Sequence, residues 1–537
     1  SFTSYVLVIH ERTEKAISAA KTYITIAITG GLVMLMGLFL LYNAFGSLSF
    51  DALYANAGIS YDKRQVYIAS LLLLFGFGAK AGMFPLHIWL PKAHAAAPAP
   101  ASALLSGILT KAGIFGIAAV TVNVMRANTS WGKSILLLAV ITMLLGGFLG
   151  ILSTDIKRTL ACSTMSQIGF ILIGISMMTL LGDQNQLAIR GTILYMLNHS
   201  FVKLVLFIIS GVVFMNIHKL GFNEIKGFGR KKPLLIIPFA LAALSLCGFP
   251  FTLGYEAKTL IHEAILALST SLSGFDFVLI KAVEWAFIFS GGLTAAYMLK
   301  LFFCLFIEKS EERQGFENSK KYMSKTTSVL ILCCSLIFPV LGIIPHLTSD
   351  KIVSFASAFF GNSGGDKINY FAISSLYNAF ISILIGVLAY IFIVRRSMIK
   401  QQQYIDFSND RCDIEKTIYV PFFGFLIKMA GYICHFISDL PDMIILFLRK
   451  TLFSESKEKE VSPTSGSIET TATKLAKFTY ERILKKDHLK LKLDIRIAIV
   501  IETLRLTTRR ILRNFSFAMM MACIGISITL IYMLFLA

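Results

Sequence analysis

Lys80, Lys111, His199, Lys203 and Lys258 are ionisable side chains set inside apolar stretches, and they are of the kinds that carry protons. Lys80 lies deep in Phe75-Gly76-Phe77-Gly78-Ala79-Lys80-Ala81, and Pro85 follows it. Proline lacks the amide hydrogen and crowds the preceding turn, so a kink or break is expected at Pro85. Backbone groups freed by a break are tolerated at membrane depth only against protein or a water-filled cavity. A lysine beside the break then has water at hand in a dry surrounding and can gain and lose a proton. Lys111 sits inside the next run, Gly107-Ile108-Leu109-Thr110-Lys111-Ala112-Gly113. In Tyr195–Lys203 (YMLNHSFVK), His199 and Lys203 stand at i and i+4 and share one helical face. Histidine is the side chain that ordinarily titrates nearest neutrality. In Ala243–Ile261, Gly248, Pro250 and Gly254 interrupt a span, and Lys258 comes after the interruption. Lys80 precedes its break and Lys258 follows its own, the mirrored placement that an inverted-topology repeat produces.

A membrane lysine can also be a structural one that snorkels from a helix end to the interface. That reading suits Lys92 and Lys133, and it competes for His199 and Lys203. Lys80 and Lys111 lie too deep for it, and intramembrane charges default to function. Acids inside apolar runs are few: Glu256, Glu263 and Glu284, of which Glu284 stands near a span's start, where an interface position is equally natural.

These residues need helices to hold them. The chain has 537 residues, 55% of them hydrophobic and 15% charged, with a mean hydropathy of +0.71; a soluble domain is about a quarter charged. Apolar runs of roughly 20 residues recur, the length of a membrane-crossing helix. Only helix bundles and closed barrels cross a bilayer, and the runs here do not alternate as barrel strands do. Spans are expected at 20–45, 65–92, 101–123, 133–152, 159–182, 188–216, 234–268, 277–307, 327–346, 371–394 and 515–536. The net charge of +20 would suggest nucleic acid in a soluble protein. Here Lys and Arg gather in loops, as cytoplasmic loops require, and no nucleic-acid motif accompanies them. None of the eight cysteines forms a C-x-x-C pair, whereas an iron–sulfur site needs spaced thiolates. No cofactor or metal is expected, and any electrons run in other subunits. Ser1–His10 reads as the tail of a helix and not as a signal peptide, so further helices are expected before it.

The last third changes character. Tyr419–Leu448 is apolar but interrupted by Lys428, His435, Asp439, Pro441 and Asp442, as in an interfacial or lateral element. Ser454–Thr473 is a polar linker, and Lys474–Arg513 is basic and amphipathic, suited to the headgroup plane or a partner. The expected parts are 1–123, 124–310, 311–416, a lateral extension at 417–514 and a final helix at 515–537.

Several motifs resemble the antiporter-like subunits shared by respiratory complex I, energy-converting membrane-bound hydrogenases and Mrp-type Na⁺/H⁺ antiporters. They are the AK…FPLHIWLPKAH…AP…SALLSG…K stretch (Ala79–Lys111), DIKR-x-LA-x-S-x-x-SQ-x-G (Asp155–Gly169), N-H-x-x-x-K-x-x-LF (Asn198–Phe207) and G-F-P…G…K (Gly248–Lys258). The resemblance runs from Ser1 to about residue 310. It implies an all-α polytopic membrane protein: an inverted-repeat bundle with two broken transmembrane helices, here followed by a C-terminal amphipathic, lateral extension. It implies a central file of charged residues and water, with Lys80 as the first broken-helix lysine and Lys111 as that of the next helix. His199 and Lys203 would connect the halves, and Lys258 would be the ionisable residue of the second broken helix. One feature departs: the glutamate that the family pairs with the first lysine would fall before Ser1. The wording around SALLSGILTK and the long basic tail resemble the hydrogenase-4 and formate-hydrogenlyase branch.

The leading expectation is therefore a proton-translocating subunit in the cytoplasmic membrane, driven by redox chemistry in partner subunits that carry iron–sulfur or nickel–iron centres. Its neighbours would be other membrane subunits and lipid. An Mrp-type antiporter subunit, or Na⁺ as the pumped ion, is the alternative. A scaffold with a degenerate channel is a third reading, disfavoured because it would bear the desolvation of four lysines, a few kcal/mol each, without use.

Overall fold

The computed structural model describes residues 1–56, 63–126, 128–309, 322–360, 370–400 and 403–405, with isolated helical positions between 421 and 432. The chain divides into two compact units, Ser1–Lys428 and Met429–Ala537, and every helix named here belongs to the first. The sequence expectations for 417–514 and 515–537 lie almost wholly outside the described residues.

The helices are α1 (Phe2–Ile9), α2 (Glu14–Phe45), α3 (Phe50–Asn56), α4 (Lys63–Ala81), α5 (Trp89–Ala96), α6 (Ala99–Leu104), α7 (Thr110–Asn123), α8 (Thr129–Leu152), α9 (Ile156–Leu180), α10 (Gln186–Ile217), α11 (Phe222–Ile225), α12 (Pro233–Cys247), α13 (Leu253–Ser271), α14 (Gly274–Phe302), α15 (Lys325–Ile343), α16 (Ser349–Ser357) and α17 (Ile373–Ala389). A single π turn, Leu105–Leu109, joins α6 to α7. Among the described residues, nine stretches are long and apolar enough to cross a membrane. They fall, in order, on nine of the expected spans. The stretch expected at 234–268, with its interruption around Gly248 and Pro250, forms two helices, α12 and α13. Short polar side chains set many of the boundaries: Asn128 accepts from the Trp131 amide, Asp155 from Arg158 and Thr252 from Tyr255, satisfying first-turn amides that lack helical partners.

Contacts at the two ends fix the direction of each helix. At one end Arg126, just after α7, donates to the Tyr54 hydroxyl (2.5 Å), and Lys133 near the start of α8 pairs with Asp276 near the start of α14 (2.8 Å). At the other, Lys157 at the start of α9 donates to the Ala97 carbonyl between α5 and α6 (2.9 Å), and the Gly227 amide to Cys304 (2.9 Å). That second end carries Arg158, Lys219, Lys226 and Arg230–Lys232.

Two interruptions shape the interior. α4 stops at Ala81 because Gly82 turns left-handed (φ 78°), a conformation that costs glycine nothing. The chain passes a cis Phe84–Pro85 bond and a 3₁₀ turn, Leu86–Ile88, before α5. The interruption thus begins at Gly82 and Pro85 lies inside it. Its freed groups are met: Trp89 Nε1 donates to the Ala79 carbonyl (2.8 Å), and the Phe84 amide donates to Thr142 Oγ1 (3.1 Å). α12 stops in the same way at Gly248 (φ 78°), with Pro250 in the connection to α13. The first interrupted pair runs from the Arg126 end to the Lys157 end, and the second runs the opposite way. Gly254, expected among the residues that interrupt, is inside α13. Its role is close approach: a Cβ there would stand 1.7 Å from the Ser245 carbonyl oxygen of α12.

The candidate span within α9 is enclosed on all sides. It packs on α8 through glycines at which an added Cβ would meet the Ser166 amide (Gly146, 2.3 Å) and Met143 (Gly169, 2.4 Å). A two-residue antiparallel ladder, Ile399 opposite Tyr404 and Lys400 opposite Gln403, follows the π turn after α17.

Candidate functional site

The centre of the bundle brings three of the sequence-selected residues together. The π turn widens the helix ahead of Thr110, and Lys111 on the next turn donates from Nζ to the Ser106 carbonyl (2.7 Å) and meets His199 Nδ1 of α10. One turn along α10, Lys203 is wholly buried; its amine donates to the Leu160 carbonyl (2.9 Å) and to Ser163 Oγ of α9. No carboxylate takes part in an ion pair with Lys111, His199 or Lys203 among the described residues, so carbonyl, hydroxyl and imidazole do the solvating.

Lys80 and Lys258 stand apart from this cluster, one at each interruption. Lys80, second from the end of α4, donates to Tyr23 OH (3.4 Å) and lies over the Tyr23 ring (5.9 Å to its centre). Among the described residues no carboxylate pairs with it. Lys258 in α13 reaches back to the Cys247 carbonyl (3.1 Å), freed where α12 ends, and lies 5.0 Å over the Phe170 ring. Pro85 and Pro250 lie in the interruptions themselves. Of the three acids, Glu256 is fully enclosed with neither oxygen hydrogen-bonded, Glu263 accepts from Ser375 (3.2 Å), and Glu284 pairs with Lys281 (2.8 Å).

A polar network spans the gap between Lys203 and Lys258. Tyr195 OH donates to Gln167 Oε1 (2.7 Å), while Gln167 Nε2 donates to Thr294 Oγ1 (3.3 Å) and Tyr297 OH (3.2 Å). Phe170 stacks on Tyr195 at 5.7 Å and stands between it and Lys258.

Two further buried groups were not singled out from sequence. His94 has no exposure and no hydrogen bond at either ring nitrogen; it stacks on Phe207 at 5.2 Å. Its signal is an imidazole in an alanine-rich run. Lys300 of α14 is wholly buried and donates to the carbonyls of Gly150 (3.0 Å), Ile151 and Ser153 (2.6 Å), closing the C-terminus of α8. Its signal was a lone lysine in an apolar run, as for Lys80.

The arrangement is a central cluster of buried nitrogen bases and hydroxyls with one further lysine at each interruption, in an otherwise apolar bundle, which defines a class of helical membrane protein with a buried polar interior. Residues 1–287 match the family of NADH:quinone oxidoreductase and Mrp antiporter transmembrane proteins, and the chain belongs to that family. It is 29% identical over 374 residues to hydrogenase-4 component B of Escherichia coli (strain K12), covering 67% of this chain and 54% of that protein. It is 30% identical over 308 residues to NAD(P)H-quinone oxidoreductase chain 4 1 of Picosynechococcus sp. (strain ATCC 27264 / PCC 7002 / PR-6), covering 54% and 56%. The chain spans about half the length of these curated relatives. Its fold is similar to a chain of the Mrp complex from Dietzia sp. DQ12-45-1b, with a TM-score of 0.66 at 20% identity over 90% of this chain and 52% of that one.

Proposed function

We propose that this chain is an ion-translocating subunit that moves protons along Lys80, Lys111, His199, Lys203 and Lys258, driven by redox chemistry in partner subunits of an energy-converting respiratory or hydrogenase complex. The observation that carries the reading is the central contact: Lys111 hydrogen-bonded to His199, with Lys203 one turn away, all buried with no counter-charge among the described residues. A buried amine is costly and functional by default, and neighbouring bases of this kind titrate together, so a proton entering at one shifts the next. The opposite directions of the two interrupted helix pairs support reading 1–123 as the C-terminal part of a first inverted repeat and 124–310 as the second, each with one broken transmembrane helix. The basic end, Lys157 to Lys232, would face the cytoplasm. The segment 311–416 adds helices, and 417–537 is read as the lateral arm and its closing span.

In proteoliposomes holding the intact complex, Lys80→Ala or Lys203→Ala abolishes ion translocation while the complex still assembles. Unchanged pumping in either variant defeats the proposal. Copurifying iron–sulfur or nickel subunits support the redox-driven form. Copurification with small membrane subunits alone, together with Na⁺-dependent flux, replaces it with an Mrp-type antiporter.

A further inference from the structure

Lys258 lies at the far end of the file, yet it is not sealed. A cavity of about 40 Å³ opens beside it between α13, α14 and α17, lined among others by Cys247, Lys258, His262, Phe287, Ser375 and Ser382. A water needs roughly 10–15 Å³ of such space and polar partners, so the cavity accommodates waters that touch the Lys258 amine. His262 is one turn beyond Lys258 on the same face of α13. It is nearly buried, its Nε2 has no hydrogen bond, and that nitrogen lies 3.7 Å from Glu284 Oε1. The other oxygen of Glu284 holds Lys281, 2.8 Å away. Glu263, on the next position of α13, is a further charge near His262. Side-chain exposure rises along this line, from 7% at His262 through 13% at Glu284 to 38% at Lys281. Lys281 is near the start of α14, at the end of the bundle opposite the basic loops.

We infer that His262 and Glu284 are the last proton-carrying steps between Lys258 and the face opposite the basic loops, with this cavity as their aqueous mouth. The inference rests on the function proposed above for Lys258 and adds a route and two residues to it. Ser375, Asn378 and Ser382 come from α17, beyond the 1–287 region that matches the family. The mouth is therefore completed by a helix beyond that matched region. Each transfer conserves the proton: it leaves the Lys258 ammonium for a cavity water, passes to His262 Nε2 and then to the Glu284 carboxylate, which releases it to bulk water.

Cys247 is a built-in reporter because it lines the cavity. In the complex whose copy of this chain carries Cys247 as its only cysteine, the partner subunits keeping theirs, Ag⁺, a thiophilic ion of about the size of water, is added to sealed vesicles of either orientation. Unreacted thiol on this chain is then counted with maleimide after denaturation and separation of the subunits. Ag⁺ blocks Cys247 at least tenfold faster from the face opposite the basic loops. In the otherwise unaltered complex, His262→Gln and Glu284→Gln each lower ion flux at least tenfold, and Glu284→Asp restores it to within about threefold. Equal blocking from both faces, no blocking from that face, or wild-type flux in His262→Gln overturns the mouth. Absence of ion flux in the unaltered complex would instead remove the function proposed above, while the sidedness of Ag⁺ still decides whether the cavity opens to water.

Discussion

Replacing Lys203 with methionine separates a conducting amine from a structural one. The side chain has no exposure, and its amine is held by the Leu160 carbonyl and the Ser163 hydroxyl. Methionine has similar length and fills irregular space, so no cavity opens. Two buried polar groups lose a partner, at about 1–3 kcal/mol each. Against that, the fold no longer encloses an ammonium, whose desolvation costs several kcal/mol. The terms nearly cancel, and the complex should assemble with its thermal transition within a few degrees of wild type. Transport has no such cancellation. An ion passing this point without the amine is a bare charge at mid-membrane, about 2.5–3.5 kcal/mol. At 1.36 kcal/mol per decade, that slows the step roughly 10²-fold. The assay is acidification of proteoliposomes read with an entrapped pH dye, alongside thermal unfolding of the same preparation. Flux within twofold of wild type refutes the argument, because the amine would then be dispensable. Loss of flux together with loss of assembly refutes the cancellation and makes Lys203 a structural residue.

Gln167→Leu strips Tyr195 of its acceptor and Thr294 and Tyr297 of a donor; it lowers stability by about 1–3 kcal/mol, and adding Tyr195→Phe recovers part of that loss in thermal unfolding. Gly254→Ala drives a methyl into the Ser245 carbonyl; overpacking costs about 1–3 kcal/mol or more, and membrane yield falls sharply, whereas Gly46→Ala, with nothing within 4 Å, leaves packing intact and costs only its left-handed turn. Asp350 lies in a short helix between candidate spans. Burial works against its ionisation, but hydrogen bonds from Tyr370 (2.7 Å) and His346 (2.9 Å) and the Arg190 guanidinium (2.5 Å) outweigh it and hold the carboxyl below its ordinary value. Its contribution is complete above about pH 4, the unfolded value, and disappears as pH falls through the lower folded one. Asp350→Asn should therefore flatten the acid side of the stability profile, measured by thermal unfolding in detergent.

The sequence exposed the residues that violate their surroundings. Lys80, Lys111, Lys203 and Lys258 are charges in apolar runs, and a charge in such a run is visible without coordinates. The helix stops were visible through Gly248, Pro85 and Pro250. The residue that turns the first stop is Gly82, because a left-handed backbone, not the missing proline amide, ends α4. Partnerships were not visible. Lys300 looks like a cation at the end of a span until the C-terminal carbonyls of α8 are placed around it. Gln167 and Tyr195 are ordinary residues of apolar helices until folding aims them at each other. His262 and Glu284 become a pair only when α13 lies against α14.

The enclosure of α9 bears on how the protein is made. Ser163, Thr164, Ser166 and Gln167 put hydroxyls and an amide in the middle of that helix, and in the finished bundle none of them meets lipid. During synthesis α9 leaves the insertion machinery before α10–α17 exist to cover it, so on its own it is a reluctant entrant to the bilayer. The preceding helix, α8, is far more apolar and already carries the glycine notches that receive α9. The two are best understood as a hairpin delivered together, in which α8 escorts a helix too polar to remain in lipid alone.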